Sequence, residues 1–71
     1  MPRYFFHIDG SQPYRDEDGE ELIDDDAAWR LATRVTRDIE TSVRPGDSWE
    51  LEVWCQEAPV FRIDIKTEWV R

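Results

Sequence analysis

The sequence predicts an α+β fold of order ββαββ: a four-stranded antiparallel sheet with one helix packed on one face. Three observations carry this expectation. The chain opens on an aromatic, β-prone segment that runs into a turn dipeptide; its middle holds one amphipathic helical stretch; its end holds two alternating runs around a short loop. A sheet with one apolar face must bury it, and a single helix laid across that face is the economical way to do so.

The first strand is Arg3-Tyr4-Phe5-Phe6-His7-Ile8-Asp9, followed by Asp9-Gly10, a strong hairpin-turn dipeptide. Alternation places Tyr4, Phe6 and Ile8 on the core face and Phe5, His7 and Asp9 on the other. Ser11 to Arg15 reads as a short return strand, and Pro13, which has no backbone donor, assigns that strand to an edge. Residues 16–26 carry eight acids around Gly19 and form an acidic loop leading to a helix. Asp24 is the N-cap, with Asp25 and Asp26 at the positive end of the helix dipole. Ala28, Leu31, Ala32, Val35 and Ile39 make the apolar stripe, Trp29 covers its flank, and Pro45-Gly46 stops the helix by Val43 or Arg44.

In the closing hairpin Trp49, Leu51, Val53 and Cys55 face inward, as do Phe61, Ile63 and Ile65. Inward residues must oppose inward residues. The register expected is Val53 opposite Ile63, which sets Trp54 against Arg62 and Glu50 against Lys66. The alternative, Val53 opposite Phe61, draws Pro59 into the ladder, where it has no N–H to give.

Seventy-one residues make a single small domain, 1–71, with little room for a deep catalytic cleft. Seventeen acids against nine bases give a net charge of -8, which excludes nucleic acid and anionic membranes as expected partners. One cysteine forms no internal disulfide, and one cysteine with one histidine falls short of a structural zinc site. No apolar run reaches the length of a membrane span and the N-terminus lacks a signal-peptide core, so a cytoplasmic location with no membrane contact is expected.

The candidate sites are few. Asp16, Asp18 and Gly19 fit three positions of a calcium-binding EF-hand loop, but Tyr14 and Asp25 stand where that loop needs an acid and a glutamate. The segment 16–26 is therefore read as a solvated acidic turn with at most weak cation binding. Cys55 and His7 fall on opposite faces of the sheet, out of reach for a nucleophile and its base. No pair among the many carboxylates is singled out for acid–base work, and there is no glycine-rich phosphate loop or nucleophile elbow. The expectation is no enzyme, no catalytic residue, no metal and no cofactor. What departs from an ordinary charged surface is the outward face of the sheet, where Phe5, His7 and Trp54 are the candidate partner-binding residues. Base stacking on these rings would need basic surroundings, and the charge has the wrong sign.

The opening Met1-Pro2-Arg3-Tyr4-Phe5-Phe6-His7, then Asp9-Gly10, Asp16 to Gly19, Leu22, Asp24 and the alanine-containing helix, resembles a family of small bacterial proteins known as a domain of unknown function. The resemblance runs from Met1 through the helix, and the closing hairpin matches in pattern only. It implies a bacterial, cytoplasmic, stand-alone domain and carries no activity, ligand or catalytic residue. Two function classes follow from the residues. One is a protein-interaction or regulatory module that binds a protein partner or itself as a homodimer. The other is an acidic antitoxin-like or inhibitor-like protein that neutralises a basic protein.

Overall fold

The computed structural model describes residues 1–10 and 13–71. Five elements follow in the expected order: β1 (Arg3–Asp9), β2 (Glu20–Glu21), α1 (Asp25–Glu40), β3 (Ser48–Cys55) and β4 (Ala58–Lys66). They form one antiparallel sheet of order β2-β1-β3-β4 with the helix on one face. The first and third strands are thus central, and their inward side chains Tyr4, Phe6, Leu51 and Val53 form the buried centre with Ala28 and Ala32. These two alanines, one helical turn apart, have no exposed surface. Their lack of bulk lets the helix backbone come down onto the sheet. The longer side chains of the stripe, Leu31 and Val35, are half-buried and flank the contact. Trp29 lies beside the stripe as expected, its ring edge-on to Phe61 with centroids 5.2 Å apart.

The helix begins where the sequence places it. The Asp24 carboxylate accepts from the Ala27 N–H at 2.9 Å, and Asp25 and Asp26 fill the first turn. It ends at Glu40, a few residues before the expected stop, because the chain tightens after Ile39. The Ser42 N–H and hydroxyl both donate to the Ile39 carbonyl, and the Thr41 hydroxyl donates to the Asp38 carbonyl. These local bonds satisfy terminal carbonyls that another helical turn would otherwise take up.

Two expectations require correction. The return strand expected over Ser11 to Arg15 lies partly outside the described residues, since Ser11 and Gln12 are not among them. In its described part only a single bridge forms, Tyr14 and Ile8 exchanging backbone bonds of 2.9 and 2.8 Å. The second strand is instead Glu20–Glu21, paired with Tyr4 and Arg3. Pro13 cannot extend the ladder, and Asp16 turns the chain away from β1 before Glu20 rejoins it. Gly10, at the expected turn, has φ of +144°, and a Cβ there would stand 2.9 Å from the Ser48 carbonyl oxygen.

The second correction is the register of the closing hairpin. Val53 pairs with Phe61, Glu52 with Arg62 and Glu50 with Asp64. The cause is the turn. Cys55 pairs with Ala58 across the two residues Gln56-Glu57, with Gln56 at φ 59°. Continued unchanged, that tight turn would set inward residues against outward ones. A bulge at Val60, between Pro59 opposite Trp54 and Phe61 opposite Val53, restores the match of faces. Pro59 is tolerated because it sits on the outermost strand, beside a bulge.

Tyr4 ties the helix start to the sheet. It is 2 % exposed, and its hydroxyl donates to Asp25 Oδ1 at 2.6 Å. That hydrogen bond, then burial, then the negative charges of Asp25, Cys55 and Asp24, push the phenol up from 10.0 to about 12. The folded chain therefore holds this proton at pH values where the unfolded chain has released it. The resulting stability is fully present below pH 10 and is lost as pH rises from there through about 12. Urea titrations across this window are expected to show a steeper fall for the native chain than for Tyr4→Phe. Equal slopes would contradict the assignment.

Candidate functional site

The open face of the sheet is organised in rows that run across the strands. Phe5 of β1 lies opposite Trp54 of β3, which lies opposite Pro59 of β4. The next row is His7, Glu52 and Arg62, and the third is Asp9, Glu50 and Asp64. An apolar row is thus followed along the face by a mixed row and an acidic row, and Ser48 opposite Lys66 lies beyond the acidic row. Within β1 the Phe5 and His7 rings stack, with centroids 6.5 Å apart and planes 18° apart. The Trp54 indole N–H donates to the Glu52 carboxylate, which holds the ring along its own strand. The three residues singled out in the sequence, Phe5, His7 and Trp54, are therefore brought together. All three are half-buried. The corrected register replaces the expected Trp54–Arg62 opposition with Trp54–Pro59, so no arginine is paired across from the indole.

Beside this face the acidic loop is folded by one side chain. Asp16 Oδ2 accepts the Phe6 N–H at 3.2 Å, and Oδ1 accepts the Asp18 and Gly19 N–H groups at 3.2 and 3.0 Å. The Asp16 N–H in turn donates to His7 Nδ1 at 3.2 Å, so the neutral ring carries its proton on Nε2. Arg3 reaches across with one guanidinium nitrogen on the Asp18 carbonyl at 2.8 Å and another on Glu21 Oε1 at 3.0 Å. Gly19 has φ of +71°, and a Cβ there would lie 2.8 Å from Arg3 Cγ and 2.9 Å from Phe5 Cε2. The turn is largely exposed, as the sequence suggested, and within it Asp16 forms an ordered brace beside Arg3, Phe5 and His7. Sequence reading missed this role of Asp16, although an Asp followed at this spacing by Asp18-Gly19 is a signal for a side-chain-closed turn.

Cys55 stands on the covered face opposite Tyr4, and His7 on the open face. Grooves lie on both sides of the helix among the described residues. One, of about 390 Å³, runs between Leu31, Val35, Phe6, Ile8 and the loop at Tyr14 and Asp16. The other, of about 320 Å³, runs between Trp29, Thr33, Arg37 and Ile63. Among the described residues, no group of three or more His, Cys, Asp or Glu side chains is placed to hold a metal ion. Among them, too, no helix is long and apolar enough to cross a membrane.

The geometry defines a small ββαββ domain with a helix on one face of its sheet and a patterned aromatic and acidic surface on the other. The family model described as Domain of unknown function (DUF6894) matches residues 3–66, and the chain belongs to this family. The match includes the closing hairpin, beyond the stretch on which the sequence resemblance rested. No curated protein and no solved structure matches the chain.

Proposed function

We propose that the chain is a non-catalytic protein-interaction module whose contact surface is the open face of the sheet. The observation that carries this reading is the row pattern. Phe5, Trp54 and Pro59 present apolar surface at one side and Asp9, Glu50 and Asp64 acidic surface at the other, with His7, Glu52 and Arg62 between them. A protein surface with an apolar anchor flanked by lysine or arginine fits both the apolar and the acidic row, the rings supplying most of the affinity and the acids the orientation. The aromatic side chains are held before binding, by stacking, by the Trp54–Glu52 bond and by the Asp16 brace. Such preorganisation lowers the entropy lost on association. The acidic row also supports the second reading, an acidic inhibitor-like protein that neutralises a basic partner, in which charge rather than the aromatic row dominates.

The test is retrieval of partners from lysate of the native cell by the intact chain, Trp54→Ser and Glu50→Lys, at low and at high salt. A retained protein is then titrated into isotope-labelled chain. The proposal expects one basic partner, lost with Trp54→Ser, weakened by Glu50→Lys, and shifting the amide signals of Phe5, His7 and Trp54. A partner bound equally by Trp54→Ser but released by salt would favour the inhibitor reading. Shifts confined to the helix side would contradict both.

A further inference from the structure

A second surface on the same sheet is complementary to itself. β4 is the outermost strand, and among the described residues its far edge carries no neighbour. Its hydrogen-bond phase can be read from its end: the Thr67 N–H donates to the Asp47 carbonyl, toward β3. Bonding direction alternates along an antiparallel strand. Ile65, Ile63 and Phe61 therefore bond toward β3, and the backbone groups of Arg62, Asp64 and Lys66 point away from the sheet. Pro59 and the bulge at Val60 block one end of this edge, leaving Phe61 to Lys66 free.

We propose that this edge is a self-association site, at which a second copy of the chain pairs antiparallel about a two-fold axis through Ile63. The sequence around Ile63 selects that register. Arg62 of each copy meets the partner's Asp64, so the outward-pointing backbone pairs are also pairs of opposite charge. Phe61 meets the partner's Ile65 and Ile63 meets the partner's Ile63, which continues the apolar face across the junction. A shift of one pair in one direction sets Asp64 against the partner's Asp64 and Arg62 against the partner's Lys66. A shift in the other sets Arg62 against the partner's Arg62. Both place like charges opposite each other.

Two further features agree with this arrangement. The helix sits over the sheet centre, leaving Phe61, Ile63 and Ile65 half-buried and Trp29 46 % exposed above β4. Two helices each centred over β3 would stand about 14 Å apart, three strand spacings, with a Trp29 from each copy in the gap. The net charge of -8 opposes association, but the eight acids of residues 16–26 lead into and out of β2 at the opposite edge of the sheet. They stay at the outer ends of the dimer, where salt screens them. This inference goes beyond the partner-binding reading and does not depend on Phe5, His7 and Trp54, although its Arg62 and Asp64 lie on the same open face of the sheet.

Sedimentation equilibrium over a concentration series at physiological salt tests it, with folding checked by circular dichroism. The chain is expected to reach twice its 8.5 kDa mass. Arg62→Asp and Asp64→Arg are each expected to raise the dimer dissociation constant roughly tenfold or more, because each creates like-charge pairs across the axis. Combining the two reverses the charges and is expected to restore dimerisation. Asp64→Arg gives up an exposed 3.5 Å contact with Arg62 of its own strand, which is worth little at the surface, and gains an opposite charge across from Glu50; it weakens the dimer with little effect on the hairpin, which keeps the test decisive even if Arg62→Asp lowers stability. Trp54→Ser is expected to leave the mass unchanged. A mass of 8.5 kDa throughout, a dimer indifferent to both single changes, failure of the double change to restore it, or loss of the dimer in Trp54→Ser would each overturn the proposal.

Discussion

Leu51→Ala is expected to lower the unfolding free energy by about 2–5 kcal/mol, the usual cost of a cavity at a fully buried leucine. Leu51 is 2 % exposed on a central strand, between Ile8 of β1 and Ile63 of β4, and belongs to the cluster that meets Ala28 and Ala32. The neighbours are held by their own strands and cannot close the gap. A domain of this length has a total stability of roughly 4–10 kcal/mol, so this single change removes a large part of it. Leu31→Ala, by contrast, trims a half-buried side chain that lines an open groove, and its effect is expected at the lower end of that range. Urea titration of both variants checks the order. An equal or larger loss for Leu31→Ala would mean that the helix, not the central strands, supplies the centre of the core.

Asp16→Ala is expected to cost about 1.5–3 kcal/mol, the range for hydrogen bonds to a charged group. One carboxylate here accepts three backbone N–H groups, from Phe6, Asp18 and Gly19. The Phe6 donor is partly buried and would be left without its partner. The loss extends beyond stability. Without the brace, the Asp16 N–H leaves His7 Nδ1, and the stacked Phe5–His7 pair loses its support at one edge. Asp16→Asn keeps one acceptor oxygen and is expected to fall between the native chain and Asp16→Ala. The urea midpoint and the exchange rate of the Phe6 amide check this together. Native-like protection of that amide in Asp16→Ala would contradict the bracing role.

Much of the fold was legible because the strongest signals are periodic. Alternation in β1 and β3 assigned Tyr4, Phe6, Leu51 and Val53 to the core, and helical spacing assigned Ala28 and Ala32 to the contact. Composition at the helix start identified Asp24 as the cap. Non-periodic features were harder to read. The Val60 bulge has no periodic signal: it is required by the conflict between a two-residue turn at Gln56-Glu57 and the need to match inward faces. The prohibition on Pro59 in a ladder, sound for a central strand, did not hold on an outer strand beside a bulge. Likewise β2 is only Glu20–Glu21, two acids without alternation, and its position follows from Asp16 and Arg3 rather than from its own residues. The candidate surface was legible as three side chains, Phe5, His7 and Trp54. Its arrangement into rows depends on the bulge and could not be assigned with the wrong register.

The pairing of β3 with β4 sets every row of the open face. Glu52–Arg62 and Glu50–Asp64 fall at the positions where no ladder bonds join the two strands and the Cα atoms approach most closely. Nuclear Overhauser contacts between Hα protons in the isotope-labelled chain read these pairs directly. The structure predicts strong Hα–Hα contacts between Glu52 and Arg62 and between Glu50 and Asp64. Contacts between Glu52 and Asp64 or between Glu50 and Lys66 would place Val53 opposite Ile63, dissolve the rows, and contradict the account.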